Sequence, residues 1–321
     1  MKPSPDTAPE ADPATAEPPA PACVLSFNGS DPSGAGGLAG DVATIAAMGA
    51  HALPVVTAIV MRDTAEVFDQ HPIEADIVAQ QARAILEDVT IAGWKVGFLG
   101  SAEAVGAVAE VLSDYPEVPL VSYLPPLSWL DDDELQPYLE AFRELILPAT
   151  EVLVGNHKTL SDFLLPDWDS ERPPSARELA VAAGEHGTRY VLVTGVMLPA
   201  KGAEQFIDNV LASPQGALTG EKFERFETTF VGAGDTLAAA LAALLAAGSE
   251  LQAAVGEALS FLDQSLDAGF RPGMGNVVPD RFFWALPPPD DDGEGEPVPG
   301  AETGDAAPPD QPSKGSPRRV H

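Results

Sequence analysis

Short, almost wholly apolar runs alternate along the chain with longer segments whose apolar residues recur at every third or fourth position. "CVLSFNG" at 23–29 precedes a helical stretch near Leu38–Met48, and "LPVVTAIVM" at 53–61 precedes "EADIVAQQARAILEDV". "WKVGFLG" is followed by "SAEAVGAVAEVLSDY", and "VPLVSYL" by "DDELQPYLEAFRELIL". "TEVLVGN", "SARELAVAAGEHG" and "TRYVLVTG" continue the series. Apolar runs of strand length read as buried strands, and the three- and four-residue spacing reads as amphipathic helix. A βαβα order of this kind predicts an α/β fold, with a mostly parallel central sheet flanked by helices on both faces. Beyond Gly195, "EQFIDNVLAS" and "EKFERFET" predict a short antiparallel excursion before the last helices.

Composition sets the borders. Residues 1–22 are mostly Pro, Ala, Asp and Glu, and residues 287–321 mostly Pro, Gly, Asp and Glu. Neither end has the apolar surface to offset the entropy of ordering, so both are expected to be disordered, leaving 23–286 as one domain. No apolar run reaches the length of a membrane span. The N-terminal stretch has neither the basic and apolar regions of a secretory signal nor the charge of a transit peptide. With Cys23 the single cysteine, an internal disulfide and a cysteine-based zinc site are both excluded, and a cytoplasmic setting is expected. The formal net charge of −32 argues against nucleic acid as a partner. An anionic ligand has to be held by local donors against that field.

Two glycine-rich segments carry candidate chemistry. In "GAGDTLAAALAA", 232–243, a glycine loop opens directly into a helix. A helix start exposes unpaired N–H groups and partial positive charge, which suits an anion such as a transferring phosphoryl group. Asp235 beside it either serves as an ordinary first-turn residue or accepts a proton from an attacking hydroxyl. The second segment, "NGSDPSGAGGLAGD" at 28–41, combines a turn signal with further glycines before a helix. It matches neither the dinucleotide fingerprint nor the Walker loop. Topology puts this loop, Arg62–Asp63, Asn156 and Thr194–Gly195 at the carboxyl ends of strands, where open parallel sheets bind ligands.

The two segments, in this order, resemble those of the ribokinase-like kinases, and within them the hydroxymethylpyrimidine and phosphomethylpyrimidine kinases of thiamine synthesis. The resemblance covers about residues 23–280. It rests on "GSDPSGAGGLAGD", "VTAIVMRDT", "WKVGFLG" and "GAGDTLAAALAA". It implies ATP and Mg2+ as cofactors, a small pyrimidine as substrate and a homodimeric state. Asp235 would be the base. The N–H groups of Gly232, Ala233, Gly234 and Asp235 would form the anion hole. Gly29 and Asp41 would line the pyrimidine pocket, and Asn156, Thr194 and Gly195 would lie near the ATP phosphates and the metal.

This chain departs from the family pattern at several places. Asp235 stands where the pyrimidine kinases usually carry cysteine; aspartate is what pyridoxal kinases and most other ribokinase-like enzymes carry there. Arg62 replaces a glutamine, so it offers donors only; it either grips an anionic group of the substrate or pairs with Asp63. Ser122 and Tyr123 fall where an aspartate is expected, Thr159 where a metal-linked glutamate is expected, and Thr194 where a lysine is expected. Lys158 is a candidate to replace that lysine, and Lys95 is retained. The acidic run "LSWLDDD" reads as solvated charge rather than a metal site. Three readings therefore stand: a hydroxymethylpyrimidine kinase, a kinase of pyridoxal or a related hydroxymethyl heterocycle, and a binding protein with an eroded transfer site.

Overall fold

Strand and helix follow the apolar pattern closely in the computed structural model, which describes residues 20–199 and 205–285. The expected disordered ends lie, except for residues 20–22, outside the described residues. The chain divides into one unit, Met1–Phe283, and a second, Trp284–His321, of which only the first two residues are described. The first unit carries the whole fold.

Its strands are β1 (Cys23–Ser30), β2 (His51–Arg62), β3 (Val67–Pro72), β4 (Gly93–Val96), β5 (Leu120–Tyr123), β6 (Val152–Asn156), β7 (Tyr190–Met197), β8 (Phe206–Ser213) and β9 (Gly216–Glu224). They form one nine-stranded sheet in the order β3-β2-β1-β4-β5-β6-β7-β8-β9. The six strands from β2 to β7 in that order are parallel. Antiparallel strands extend both edges: β3 beside β2, and the β8–β9 hairpin beside β7. The hairpin is the excursion expected after Gly195. β3 was not anticipated, because "VFDQHP" is polar and mostly half-buried or exposed, and its pattern marks no buried face.

Helices cover both faces. On one side lie α2 (Ala75–Leu86), α3 (Ala102–Ser113), α4 (Asp132–Ala141), α5 (His157–Leu164) and α6 (Ala176–Glu185), packed on Leu25, Phe27, Trp94, Val96 and Leu153. On the other lie α1 (Gly37–Ala47), α7 (Ala233–Ala246) and α8 (Leu251–Asp267), packed on Val24, Val121, Val152, Val154 and Leu192. The two sets alternate along each strand, as the period of two requires. The same alternation turns Ser26 and Asn28 of β1, Lys95 of β4 and Tyr123 of β5 toward the α1–α7 face. Ser26 and Lys95 are register partners.

Two helix boundaries have clear causes. The Asp131–Asp133 run begins α4, with Asp132, Asp133 and Glu134 in its first turn, where the helix dipole favours carboxylates. α4 then loosens into a π turn at Phe142–Ile146 and a 3-10 turn at Leu147–Ala149, so the expected single helix over 132–147 is broken near its end. The fully buried Phe142 ring anchors that turn between Tyr138 and Phe163. Phe142→Ala should lower the unfolding free energy by about 3–5 kcal/mol, read from urea denaturation, because so large a buried ring leaves a cavity that cannot fully collapse.

Candidate active site

The sheet changes winding direction between β1 and β4: β2 lies on one side of β1 and β4 on the other. Ligand crevices form at such switch points, beyond the carboxyl ends of the strands. A cleft of about 620 Å³ opens there. Its floor is the start of α7 and the 28–37 loop; the turn after β2, with Arg62 and Glu66, and the loop after β5, with Ser128 and Trp129, form its walls.

Beneath the floor Lys95 is fully buried between two carboxylates. Its ammonium lies 2.8 Å from Asp41 Oδ1 and 2.7 Å from Asp235 Oδ1. Asp41 comes from α1 and Asp235 from the first turn of α7, so one charge ties two helices to β4. Asn28 completes the group. Its amide nitrogen donates to Asp41 Oδ2 at 3.0 Å and to Asp235 Oδ1 at 2.9 Å, while its oxygen accepts from the Gly29 and Phe98 N–H groups. Ser26 donates to Asp41 at 2.7 Å. Asp235 Oδ2 accepts from Gly37 N–H at 3.1 Å, which joins the two glycine segments directly.

Electrostatics follow from this arrangement. Burial alone would raise the Asp235 carboxyl, but the Lys95 charge and the hydrogen bonds from Lys95, Gly37 and Asn28 outweigh it and hold the group below its ordinary value. Asp41 is pushed up, chiefly by burial and further by repulsion from Asp235, against the pull of Lys95. Burial works against the Lys95 ammonium, yet the two carboxylates raise it above the usual lysine value. Asp235 is thus an anion at neutral pH, and its side chain keeps 15% exposure to the cleft.

Gly232 starts α7 with φ +87, the left-handed region that favours glycine. A side chain there would also strike the Ala35 carbonyl. The amides of Gly232, Ala233, Gly234 and Asp235 have no hydrogen-bond partner among the described residues, and all four residues line the cleft. Arg281, unnoticed in the sequence, locks this start to the 28–37 loop from behind. Its guanidinium donates to the carbonyls of Gly34 and Ala35 and to Thr236 Oγ1. It makes no ion pair among the described residues. Burial pushes its pKa below the ordinary arginine value, while Asp235, Asp41, Asp31 and Asp280 act the other way. A guanidinium stays protonated in proteins, so Arg281 remains a cation.

The structure brings most of the candidate residues to one cleft. Gly29, Arg62, Asn156, Thr194 and the 232–235 segment line it. Asp41 does not: it is fully buried behind Lys95, so the expectation that it lines a pyrimidine pocket gives way to a place beneath the floor. Gly195 is also off the wall, its N–H bound to Asn209 Oδ1. Arg62 faces the Asp31 carboxylate at 3.7 Å and touches Asp63 only at the backbone carbonyl, so the expected pairing with the Asp63 side chain is absent. Asn156 caps α5 by accepting from Thr159 N–H. Lys158 is exposed and paired with Asp162, away from the cleft, and does not replace the missing lysine.

Whether these residues fit a resident metal can be judged from the ligand set. Among the described residues no three His, Cys, Asp or Glu side chains converge to hold an ion. The described residues build no protein cage for Mg2+; such an ion fits them as a companion of nucleotide phosphates, keeping several waters.

A mostly parallel sheet, a glycine-opened helix start and a carboxylate beside it are the features that the resemblance to ribokinase-like kinases leads one to expect. The sequence profile of phosphomethylpyrimidine kinase matches residues 31–280. The hydroxymethylpyrimidine/phosphomethylpyrimidine kinase of Streptomyces coelicolor is 29% identical over 266 residues, covering 83% of this chain and 96% of the relative. That of Mycobacterium tuberculosis strain H37Rv is 32% identical over 260 residues, covering 79% and 91%. The ADP complex of Bacillus subtilis pyridoxal kinase shares the fold with a TM-score of 0.71 at 22% identity, over 84% of this chain and 100% of that one. The phosphomethylpyrimidine kinase of Clostridium difficile gives 0.60 at 22% identity, over 75% and 97%. The chain belongs to the phosphomethylpyrimidine kinase family.

Lys95→Met should cost about 3–5 kcal/mol in urea denaturation at neutral pH, since it strands two buried carboxylates. The sign is fixed by the shifts. The raised Lys95 value gives stability that is full below the ordinary lysine range and lost as pH rises through the folded value. The lowered Asp235 value gives stability present above the ordinary carboxylate range and lost in acid. The wild-type advantage should therefore persist through neutral pH and shrink at both extremes.

Proposed function

We propose that this chain transfers the γ-phosphoryl group of ATP to the hydroxymethyl oxygen of hydroxymethylpyrimidine, or to the phosphate of its monophosphate, in thiamine biosynthesis. One observation carries the reading. Four unpartnered amides at 232–235 and an ionised Asp235 line the same cleft as the 28–37 loop.

Chemistry at the site follows from the partners. Asp235 Oδ1 is occupied by Lys95 and Asn28, and Oδ2 by Gly37 alone. Oδ2 therefore retains an acceptor site for the acceptor hydroxyl. The acceptor oxygen forms a bond to the γ-phosphorus, the bond from that phosphorus to the ADP oxygen breaks, and the proton passes to Asp235. A loose transition state needs placement and charge stabilisation more than a strong base, which suits a carboxylate held at low basicity. The free amides of the α7 start supply that stabilisation without reorganisation. Asn156 and Thr194 would flank the nucleotide phosphates, and Mg2+ would enter with them. The cytoplasm suits a chain with one unpaired cysteine.

A second reading, phosphorylation of pyridoxal, is favoured by Asp235 and Arg62 at positions where the pyrimidine kinases carry cysteine and glutamine. ADP release from Mg-ATP, measured with hydroxymethylpyrimidine, its monophosphate and pyridoxal in turn, separates the two. Ligand binding with no ADP release from any of the three would replace both with a binding protein.

Asp235→Ala should lower kcat by roughly 10²–10⁴-fold while leaving the fold intact, because Lys95 keeps Asp41 as a partner. In the wild type, kcat/KM should show no acid limb down to about pH 5, since the base titrates below the ordinary carboxylate value. A limb near neutrality would assign the proton to a different group.

A further inference from the structure

Tyr123 ends β5 on the α1–α7 face, two residues after Val121, which packs there. Its ring lies against Gly234, where any side chain would collide with the phenol. The missing side chain of Gly234 thus makes room for this ring as well as for a ligand. Tyr123 is half-buried on the cleft wall, and the Lys95 ammonium sits 5.7 Å from its ring centre. Its hydroxyl has no hydrogen-bond partner among the described residues. The contrast is with Tyr138, whose buried hydroxyl accepts from Leu99 N–H at 3.2 Å. Sheltered tyrosine hydroxyls normally find a partner, and this one lies beside Gly234 at the α7 start, on the wall of the cleft.

The hydroxyl's chemistry narrows what it meets. Burial, then the nearby Asp235 and Asp41 charges, push the phenol above its ordinary value, so it keeps its proton at any working pH. It is a neutral donor beside a row of amide donors. The family resemblance places an aspartate in this part of the chain, and an ionised aspartate would only accept. A phenol offers the opposite: a hydrogen for a phosphate oxygen, with no repulsion of an incoming anion.

We propose that the Tyr123 hydroxyl donates a hydrogen bond to the γ-phosphate of the nucleotide bound at the α7 start, as a further substrate-contacting residue of the kinase. This rests on the kinase reading above. The contact adds a neutral side-chain donor to the four amides.

Tyr123→Phe is the clean test, because the hydroxyl holds nothing within the protein. The variant should match the wild type in thermal unfolding. Calorimetric titration should show AMP-PCP binding weakened by roughly ten- to a hundredfold, as for a hydrogen bond to a charged group. Adenosine binding and hydroxymethylpyrimidine monophosphate binding should be unchanged. Unaltered AMP-PCP affinity would overturn the proposal, and so would equal losses for AMP-PCP and adenosine. Weakening confined to the pyrimidine monophosphate would do the same, by moving the contact to the acceptor. None of these arms uses turnover. Failure of the kinase reading would show separately, as wild-type protein that releases no ADP with any acceptor.

Discussion

A single buried ammonium organises this molecule. Lys95 stands where β4 would otherwise carry an apolar side chain, and it holds Asp41 and Asp235 from two helices against the sheet. Burying three charges is costly, and their attraction offsets that cost only when the geometry is good and the remaining hydrogen-bonding capacity is met. Ser26, Asn28 and Gly37 meet much of it. The consequence is geometric. The start of α7, the start of α1 and the ends of β1 and β4 cannot move independently, so the carboxylate and the amide row keep a fixed relation before any ligand arrives.

The same group explains how a chain of net charge −32 can accept a polyanion. Exposed charges more than roughly 8–10 Å from the cleft are largely screened at physiological salt. What a phosphate meets locally is different: unpaired amides, which the Lys95 cluster holds in place without adding net positive charge, and the buried Arg281 cation behind them. Among the described residues Arg281 has no carboxylate within ion-pairing distance, and its guanidinium donates to the α7 start and the 28–37 loop. Burial makes the Arg281 charge more effective than that of a surface lysine would be.

Much of the fold was legible in the residue pattern, because buried parallel strands read as apolar runs and the helices between them keep a strong period. β3 escaped because an exposed edge strand has no buried face to mark it, and the end of α4 because its loosening answers to packing around Phe142. In the site, the 28–37 loop and the 232–235 segment stood out only together, because their order in the chain carried the family resemblance; either alone also reads as an ordinary glycine loop. The role of Asp41 could not. One aspartate in α1 looks the same whether it faces a ligand or a lysine, and only the pairing with Lys95 decides. Lys95 itself carried a signal in hindsight: a lone charge at the centre of a four-residue strand demands a partner. Arg281 carried none, because it reaches the site through a loop some 45 positions beyond Asp235, and no local pattern encodes that reach.

The cleft is made of two kinds of parts. The carboxylate and the amide row are fixed by the sheet and by α7, whose buried alanines leave no room for adjustment. The opposite wall is built from Arg62, at the end of β2, and from Glu66, Ser128 and Trp129, on the connections that follow β2 and β5. Substitutions in those connections can redraw the shape and charge offered to an incoming ring without disturbing the phosphoryl end. A scaffold divided in this way lets one wall of the cleft change its residues while the helix start opposite keeps its geometry.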